Sequence, residues 1–186
     1  MLYSIFSLVL DVVAGLLGGA CLLRLYMQWM RTSFGNPLGQ FVLALSNWVV
    51  LPLRRWLPTP PRWDLASLLG ACLIELAQFS LLWLVTGMAG GWLGSVTVVP
   101  LLALFGVVRL AISGLTGLLI VYAVLSWVQT RSPLFDTIER LCQPLLRPVR
   151  RWVPLIGGVD LSPLVLLVLL QIAAMMLGYL QASVLR

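Results

Sequence analysis

Four stretches of the chain are apolar almost without interruption, at roughly residues 2–30, 65–86, 100–128 and 161–184. At 1.5 Å rise per residue, each is long enough to cross about 30 Å of hydrocarbon. Lipid offers no partner to a bare N–H or C=O, so each run predicts a membrane-spanning α-helix that satisfies its own backbone. The first run differs from a secretory signal in two ways: no basic residue precedes Asp11, and the apolar run is too long. It is expected to be retained.

Between the runs the pattern changes. "NPLGQFVLALSNW" and "SPLFDTIERLCQP" each open with a good N-cap residue followed by proline at the first helical position, where its missing N–H costs nothing. In the second, Leu134, Phe135, Ile138, Leu141, Cys142 and Leu145 recur at helical spacing, while Asp136, Glu139, Arg140 and Gln143 take the other side. That spacing predicts a short amphipathic helix lying in the membrane interface. The first insert is more apolar and is expected to sit deeper, or against the bundle. Pro52 and Pro144 are expected to stop the two helices near their ends.

The two halves repeat. An offset of 96 carries Pro52, Arg54, Arg55, Trp56, Pro58 and Asp64 onto Pro148, Arg150, Arg151, Trp152, Pro154 and Asp160. Upstream the offset is 98, carrying Trp29 and Thr32 onto Trp127 and Thr130. The predicted units are residues 1–96 (helices 2–30 and 65–86, insert 31–64) and 97–186 (helices 100–128 and 161–184, insert 129–160). Both run in the same direction, which predicts parallel repeats about a pseudo-twofold axis along the membrane normal. The expected fold class is thus an all-α membrane protein with four transmembrane helices in two helix–insert–helix repeats.

Composition agrees, because 61% hydrophobic and 10% charged residues over 186 positions exceed what a water-soluble core of this size could hide. The twelve basic residues are all arginine, and they concentrate in the two inserts, whereas the connection "GMAGGWLGSVTVVP" has none. The positive-inside rule then predicts cytoplasmic inserts and both termini outside, with Arg186 dissenting.

Candidate chemistry is sparse. The absence of histidine removes the commonest general base and metal ligand, and Cys21, Cys72 and Cys142 lack metal or redox spacing. Neither an enzyme nor a resident cofactor is expected. The pI near 10 follows from topology as readily as from nucleic-acid binding, and no direct nucleic-acid contact is expected. Arg54, Arg55, Trp56, Arg150, Arg151 and Trp152 either fix depth and topology by snorkelling, or form a pocket for an anionic lipid or a partner. Asp64 and Asp160 directly precede apolar runs and are expected to cap them, with an ion pair to the nearby arginines as the alternative.

Charges inside the spans are expensive and therefore informative. Arg24 and Glu75 lie at similar counts from the ends of their helices, which predicts a pair. Asp11, Gly15 and Gly19 correspond under the offset of 98 to Arg109, Ser113 and Gly117, each set four residues apart on one helix face. Close packing of these two small-residue faces, with an Asp11–Arg109 salt bridge, is the expectation. Separate snorkelling, with Gly15 and Gly19 serving a dimer, is the alternative.

"QWMRTSFGNPLGQF", "PLRRWLP…DLASLL", "LSWV…RSPL" and "PLLRPVRRWVPLIGGVDLSP" resemble the YggT family in its double-repeat, proteobacterial form. The resemblance spans nearly the whole chain; "TPPRW" replaces the "LIGG" turn in the first copy. It implies a multi-pass protein of the bacterial inner membrane, with a family link to osmotic stress tolerance and ion uptake. Other members are tied to cell division, nucleoid distribution and cytochrome assembly, so the resemblance implies organising the membrane or assisting membrane-protein assembly. The partners implied are the bilayer and its anionic lipids, other membrane proteins, or further copies of the chain. An oligomeric ion channel or transporter component is the alternative.

Overall fold

The computed structural model of the chain describes residues 2–56, 64–88, 98–128, 132–151 and 160–184. Six helices account for nearly all of them: α1 (Leu2–Trp29), α2 (Pro37–Trp56), α3 (Leu65–Met88), α4 (Val98–Val128), α5 (Pro133–Val149) and α6 (Ser162–Val184). Of these, α1, α3, α4 and α6 are long and apolar enough to cross a membrane, and they coincide with the four apolar runs. Leu8, Val12, Leu104, Met175 and Tyr179 stand exposed on these helices, as side chains solvated by lipid can. The protein is a multi-pass membrane protein. α1 packs against α2, α3 and α4, while α6 lies to one side against α4 and α5.

Both inserts begin where their sequence predicts. Asn36 Oδ1 accepts from Gly39 N–H at 2.6 Å, and Ser132 Oγ accepts from Phe135 N–H at 3.2 Å. Gly39 is required by contact rather than conformation: a Cβ there would stand 2.6 Å from Phe34 Cα and 2.7 Å from its carbonyl oxygen. At the end of α1 the chain turns through Arg31 in the left-handed region, φ 53°.

The inserts do not end at their prolines. α2 runs through Pro52 to Trp56, and α5 runs through Pro144 and Pro148 to Val149. A proline inside a helix costs about 3 kcal/mol through its lost hydrogen bond and ring clash. Tertiary anchors beyond each proline offset that cost: Leu146 is buried past Pro144, and Arg54 is ion-paired past Pro52.

The inserts share a core with the spans. Ile138, Leu141, Cys142 and Leu146 of α5 bury against Met27 of α1, Val42 of α2, and Leu118, Leu119 and Tyr122 of α4. Each large aliphatic side chain removed from water contributes about 1.5–3 kcal/mol, so this seam anchors the amphipathic helix. Polar ties cross it as well. Tyr26 Oη donates to the Leu141 carbonyl at 2.7 Å, and Asn36 Nδ2 donates to Thr137 Oγ1 at 3.1 Å.

Candidate functional site

The end of α2 and the start of α3 meet at a buried charge cluster. Asp64 is fully buried, and its carbonyl accepts from Ser67 and Leu68 N–H, which makes it the N-cap of α3. Its carboxylate accepts from Ser67 N–H at 3.3 Å and Ser67 Oγ at 2.7 Å. The same group is ion-paired to Arg54 Nη2 at 2.5 Å and to Arg24 Nε at 3.5 Å. Capping and ion pairing therefore occur together. Burial pushes the Asp64 carboxyl up, but hydrogen bonds from Arg54 and Ser67 and the charges of Arg54 and Arg24 outweigh it, leaving the group below its ordinary value.

Arg24 is buried as well. Its Nη1 donates to Ser46 Oγ at 3.0 Å and Asn47 Oδ1 at 2.9 Å, and Arg54 Nη2 reaches Gln28 Oε1 at 3.1 Å. The cluster thus locks α1, α2 and α3 together. It also corrects one expectation: Arg24 pairs with Asp64, not with Glu75. Counting from helix ends failed because α3 begins at the depth of Arg24, short of the end of α1. Cys21 Sγ lies 3.5 Å from where a Gly70 Cβ would stand, and Ile74 Cγ2 lies 3.8 Å from the same point on Gly18. This register sets Glu75 about two turns beyond Arg24.

The second half repeats the brace in a wetter setting. Arg150 Nε and Nη2 reach Asp160 Oδ2 at 2.8 Å and 2.7 Å, while Asp160 Oδ1 accepts from Ser162 N–H at 2.9 Å. The Leu161 carbonyl accepts from Leu164 and Val165 N–H, so Leu161 takes the backbone cap position and Asp160 caps from one residue upstream. Tyr122 stands where the first half has Arg24, and its hydroxyl accepts from Arg150 Nη2 at 3.1 Å. Burial raises the Asp160 carboxyl, yet the Ser162 hydrogen bonds and Arg150 hold it below its ordinary value.

The Arg-Arg-Trp positions accordingly separate. Arg54 and Arg150 are committed to aspartates, whereas Arg55, Trp56 and Arg151 are exposed, Trp56 at 85%. Trp152 lies outside the described residues, as do Pro58, Pro154, Arg62, Arg131, Gly157 and Gly158. Beside α5 a surface cavity of about 420 Å³ is lined by Met30, Arg140, Gln143, Pro144, Arg147 and Arg150. In the sequence Arg140 reads as part of a polar face, and Arg147 as one of the arginines concentrated in the second insert. The signal that unites them is spacing: residues 140, 143, 147 and 150 fall on one helical face.

Within the spans, the expected Asp11–Arg109 salt bridge is not formed. Asp11 accepts instead from Gln78 Nε2, and Arg109 makes no salt bridge among the described residues. The small-residue faces do not close on each other either, since a Cβ at Gly15, Gly19 or Gly117 would meet nothing within 4 Å. α1 approaches α4 through Gly18, where a Cβ would stand 2.6 Å from Leu110 Cδ1. That contact turns Gly15 and Ser113 toward a cleft of about 510 Å³, which Asp11, Gly19, Glu75, Gln78 and Arg109 also line. No group of His, Cys, Asp or Glu with metal-binding geometry occurs among the described residues.

The chain matches the family described as CCB3/YggT over residues 3–85 and again over 101–181. It is 36% identical over 173 residues to the Escherichia coli K12 protein YggT, covering 91% of this chain and 87% of that relative. A Vibrio alginolyticus protein labelled by its position in the proC 3′ region is 36% identical over 158 residues, with 84% of each chain covered. Pseudomonas aeruginosa PA0392 is 34% identical over 145 residues, covering 77% of this chain and 73% of the relative. No solved structure matches.

Proposed function

We propose, on the premise that the chain belongs to the CCB3/YggT family, that it is a non-enzymatic organiser of the bacterial inner membrane which holds anionic lipid at its insert helices. The reading puts both inserts on the cytoplasmic side and both termini outside. The observation that carries it is the cavity beside α5, where Arg140, Arg147 and Arg150 line one wall and Met30 and Pro144 are apolar. The guanidiniums of Arg140 and Arg147 suit a phosphate, Arg150 being paired to Asp160, and the apolar residues suit the acyl chain attached to it. On this reading α5 lies at the depth of lipid headgroups, and the phosphate comes from a lipid rather than a soluble ligand. By ordering anionic lipid around itself, such a protein would supply a platform for other membrane proteins and support membrane integrity under osmotic stress.

The test is the double substitution Arg140→Gln with Arg147→Gln, which spares the Arg150–Asp160 brace. Each cation near an anionic leaflet contributes about 1 kcal/mol, so losing two weakens lipid retention roughly thirty-fold. Native mass spectrometry of the detergent-released protein reads this as the loss of bound phosphatidylglycerol or cardiolipin. Unchanged retention with an intact fold would end the reading.

A further inference from the structure

The cleft between α1, α3 and α4 is lined by a glutamate, one of whose carboxylate oxygens has no hydrogen-bond partner. Glu75 is 1% exposed, and its Oε2 has no hydrogen-bond partner. It sits ten residues into α3, about 15 Å along the helix and therefore near mid-membrane. The site is built to admit it: a Cβ on Gly106 of α4 would collide with Glu75 Oε2 and stand 2.7 Å from Cδ, so the glycine makes the room. An unpaired polar atom at this depth is costly unless something occupies it.

The charged and polar groups facing Glu75 come from every helix lining the cleft. α1 contributes Asp11, α4 contributes Arg109, and α3 itself adds Gln78, with Cys72 one turn away; α2 lines no part of it. Gln78 Nε2 donates to Asp11, and no hydrogen bond from it reaches Glu75 Oε2. Two carboxylates and one guanidinium leave the cleft one positive charge short of neutral, in surroundings where net charge is strongly disfavoured.

We propose that this cleft binds one exchangeable monovalent cation, a proton or an alkali-metal ion, with the Glu75 carboxylate as its acceptor. The two sources share a chemistry, a single positive charge on a carboxylate oxygen, and the cleft has room for the waters that would complete an alkali ion's shell. The inference is independent of the lipid cavity, which lies beside α5 and shares no residue with it.

Dicyclohexylcarbodiimide provides the test, because it is apolar and reacts with protonated carboxyls. The carboxyl proton moves to a carbodiimide nitrogen, and the carboxylate oxygen bonds the central carbon to give an O-acylisourea that rearranges to a stable N-acylurea. The full chain in nanodiscs of neutral lipid is treated at a series of pH values from about 5.5 to about 9 in choline, potassium or sodium chloride. The Glu75 adduct is measured by peptide mass spectrometry. A yield that falls at least tenfold as pH rises, identically in the three salts, identifies the proton as the ligand. A tenfold suppression by sodium or potassium relative to choline at fixed acidic pH identifies an alkali ion. Arg109→Gln, which deepens the charge deficit, extends adduct formation to higher pH. The proposal is overturned by an absence of adduct at every pH in choline, by a yield indifferent to pH and salt, or by an Arg109→Gln profile identical to the parent's. These readouts are made on the unsubstituted chain and on a change at an exposed residue, so the folding of a Glu75 variant does not decide them.

Discussion

The same substitution at two equivalent aspartates should have very different costs. Asp64 is fully buried, with two arginines and both Ser67 donors on one carboxylate, and Arg24 beside it is itself 3% exposed. Asp64→Asn keeps an oxygen for the Ser67 cap but removes the charge that balances Arg24 and Arg54. Breaking a buried pair by neutralising one partner costs about 3–5 kcal/mol, because the other charge stays buried. Arg24 retains Ser46 and Asn47, which places the cost toward the lower end of that range. At the second site the side chains of Arg150 and Asp160 are 40% and 29% exposed, so water screens the pair and Asp160→Asn should cost about 0–1 kcal/mol. Reversible unfolding in mixed micelles, followed by helical circular dichroism, measures both. The pH dependence gives a second reading. The Asp64 carboxyl lies below its ordinary 3.8, so its contribution is complete above that pH and is lost as pH falls through the folded-state value. The gap between the parent and Asp64→Asn should therefore be full at neutral pH and close only under strong acid. Equal costs at the two aspartates would refute the reasoning, as would a larger cost at Asp160.

Three further outcomes are expected. Gly106→Ala sets a Cβ against the Glu75 carboxylate and 3.0 Å from Phe79 Cε2, so it should destabilise by about 1–3 kcal/mol in the same unfolding assay, and Glu75→Ala should relieve part of that loss. Cys142 is fully buried, and burial pushes its thiol up to about 12; mass-spectrometric labelling with N-ethylmaleimide near neutral pH should modify it only after denaturation. Arg24→Gln and Glu75→Gln should be additive within about 0.5 kcal/mol in a double-mutant cycle, whereas Arg24→Gln and Asp64→Asn should couple by more than that.

What could be read from the sequence was local or compositional. Span positions follow from long apolar runs, and Ser132 and Asn36 cap because a side-chain oxygen three residues before an orphan N–H reaches it in any context. The prolines misled for a tertiary reason: their cost is intrinsic, but whether a helix continues depends on anchors such as Leu146 and Arg54, whose partners are distant in sequence. Charge pairing inside the bundle was the least legible feature, since it depends on the sliding register of α1 against α3. A shift of two turns separates Arg24 from Glu75 and joins it to Asp64, while the close approach of Gly18 to Leu110 rotates the Asp11 and Arg109 faces onto a cleft. Nothing in a periodic apolar pattern encodes either quantity.

The repeated Arg-Arg-Trp motif takes on a different meaning once each arginine is followed to its partner. The first arginine of each copy closes the turn between insert and span by gripping the aspartate ten residues later, at Arg54–Asp64 and Arg150–Asp160. That is a brace, and it leaves the second arginine of each copy, Arg55 and Arg151, exposed. The halves then diverge through one position. Arg24 adds a second cation to the first brace, and an excess positive charge at that depth is tolerable only where Asp64, Ser46 and Asn47 enclose it, so that brace is sealed. Tyr122 at the corresponding place is neutral, leaving the Arg150–Asp160 pair balanced and free to remain near the surface, where Arg150 also lines the cavity with Arg140 and Arg147. On the proposed reading anion recognition falls to the second half: its brace needs no enclosure, and its helix α5 presents two more arginines on the same face.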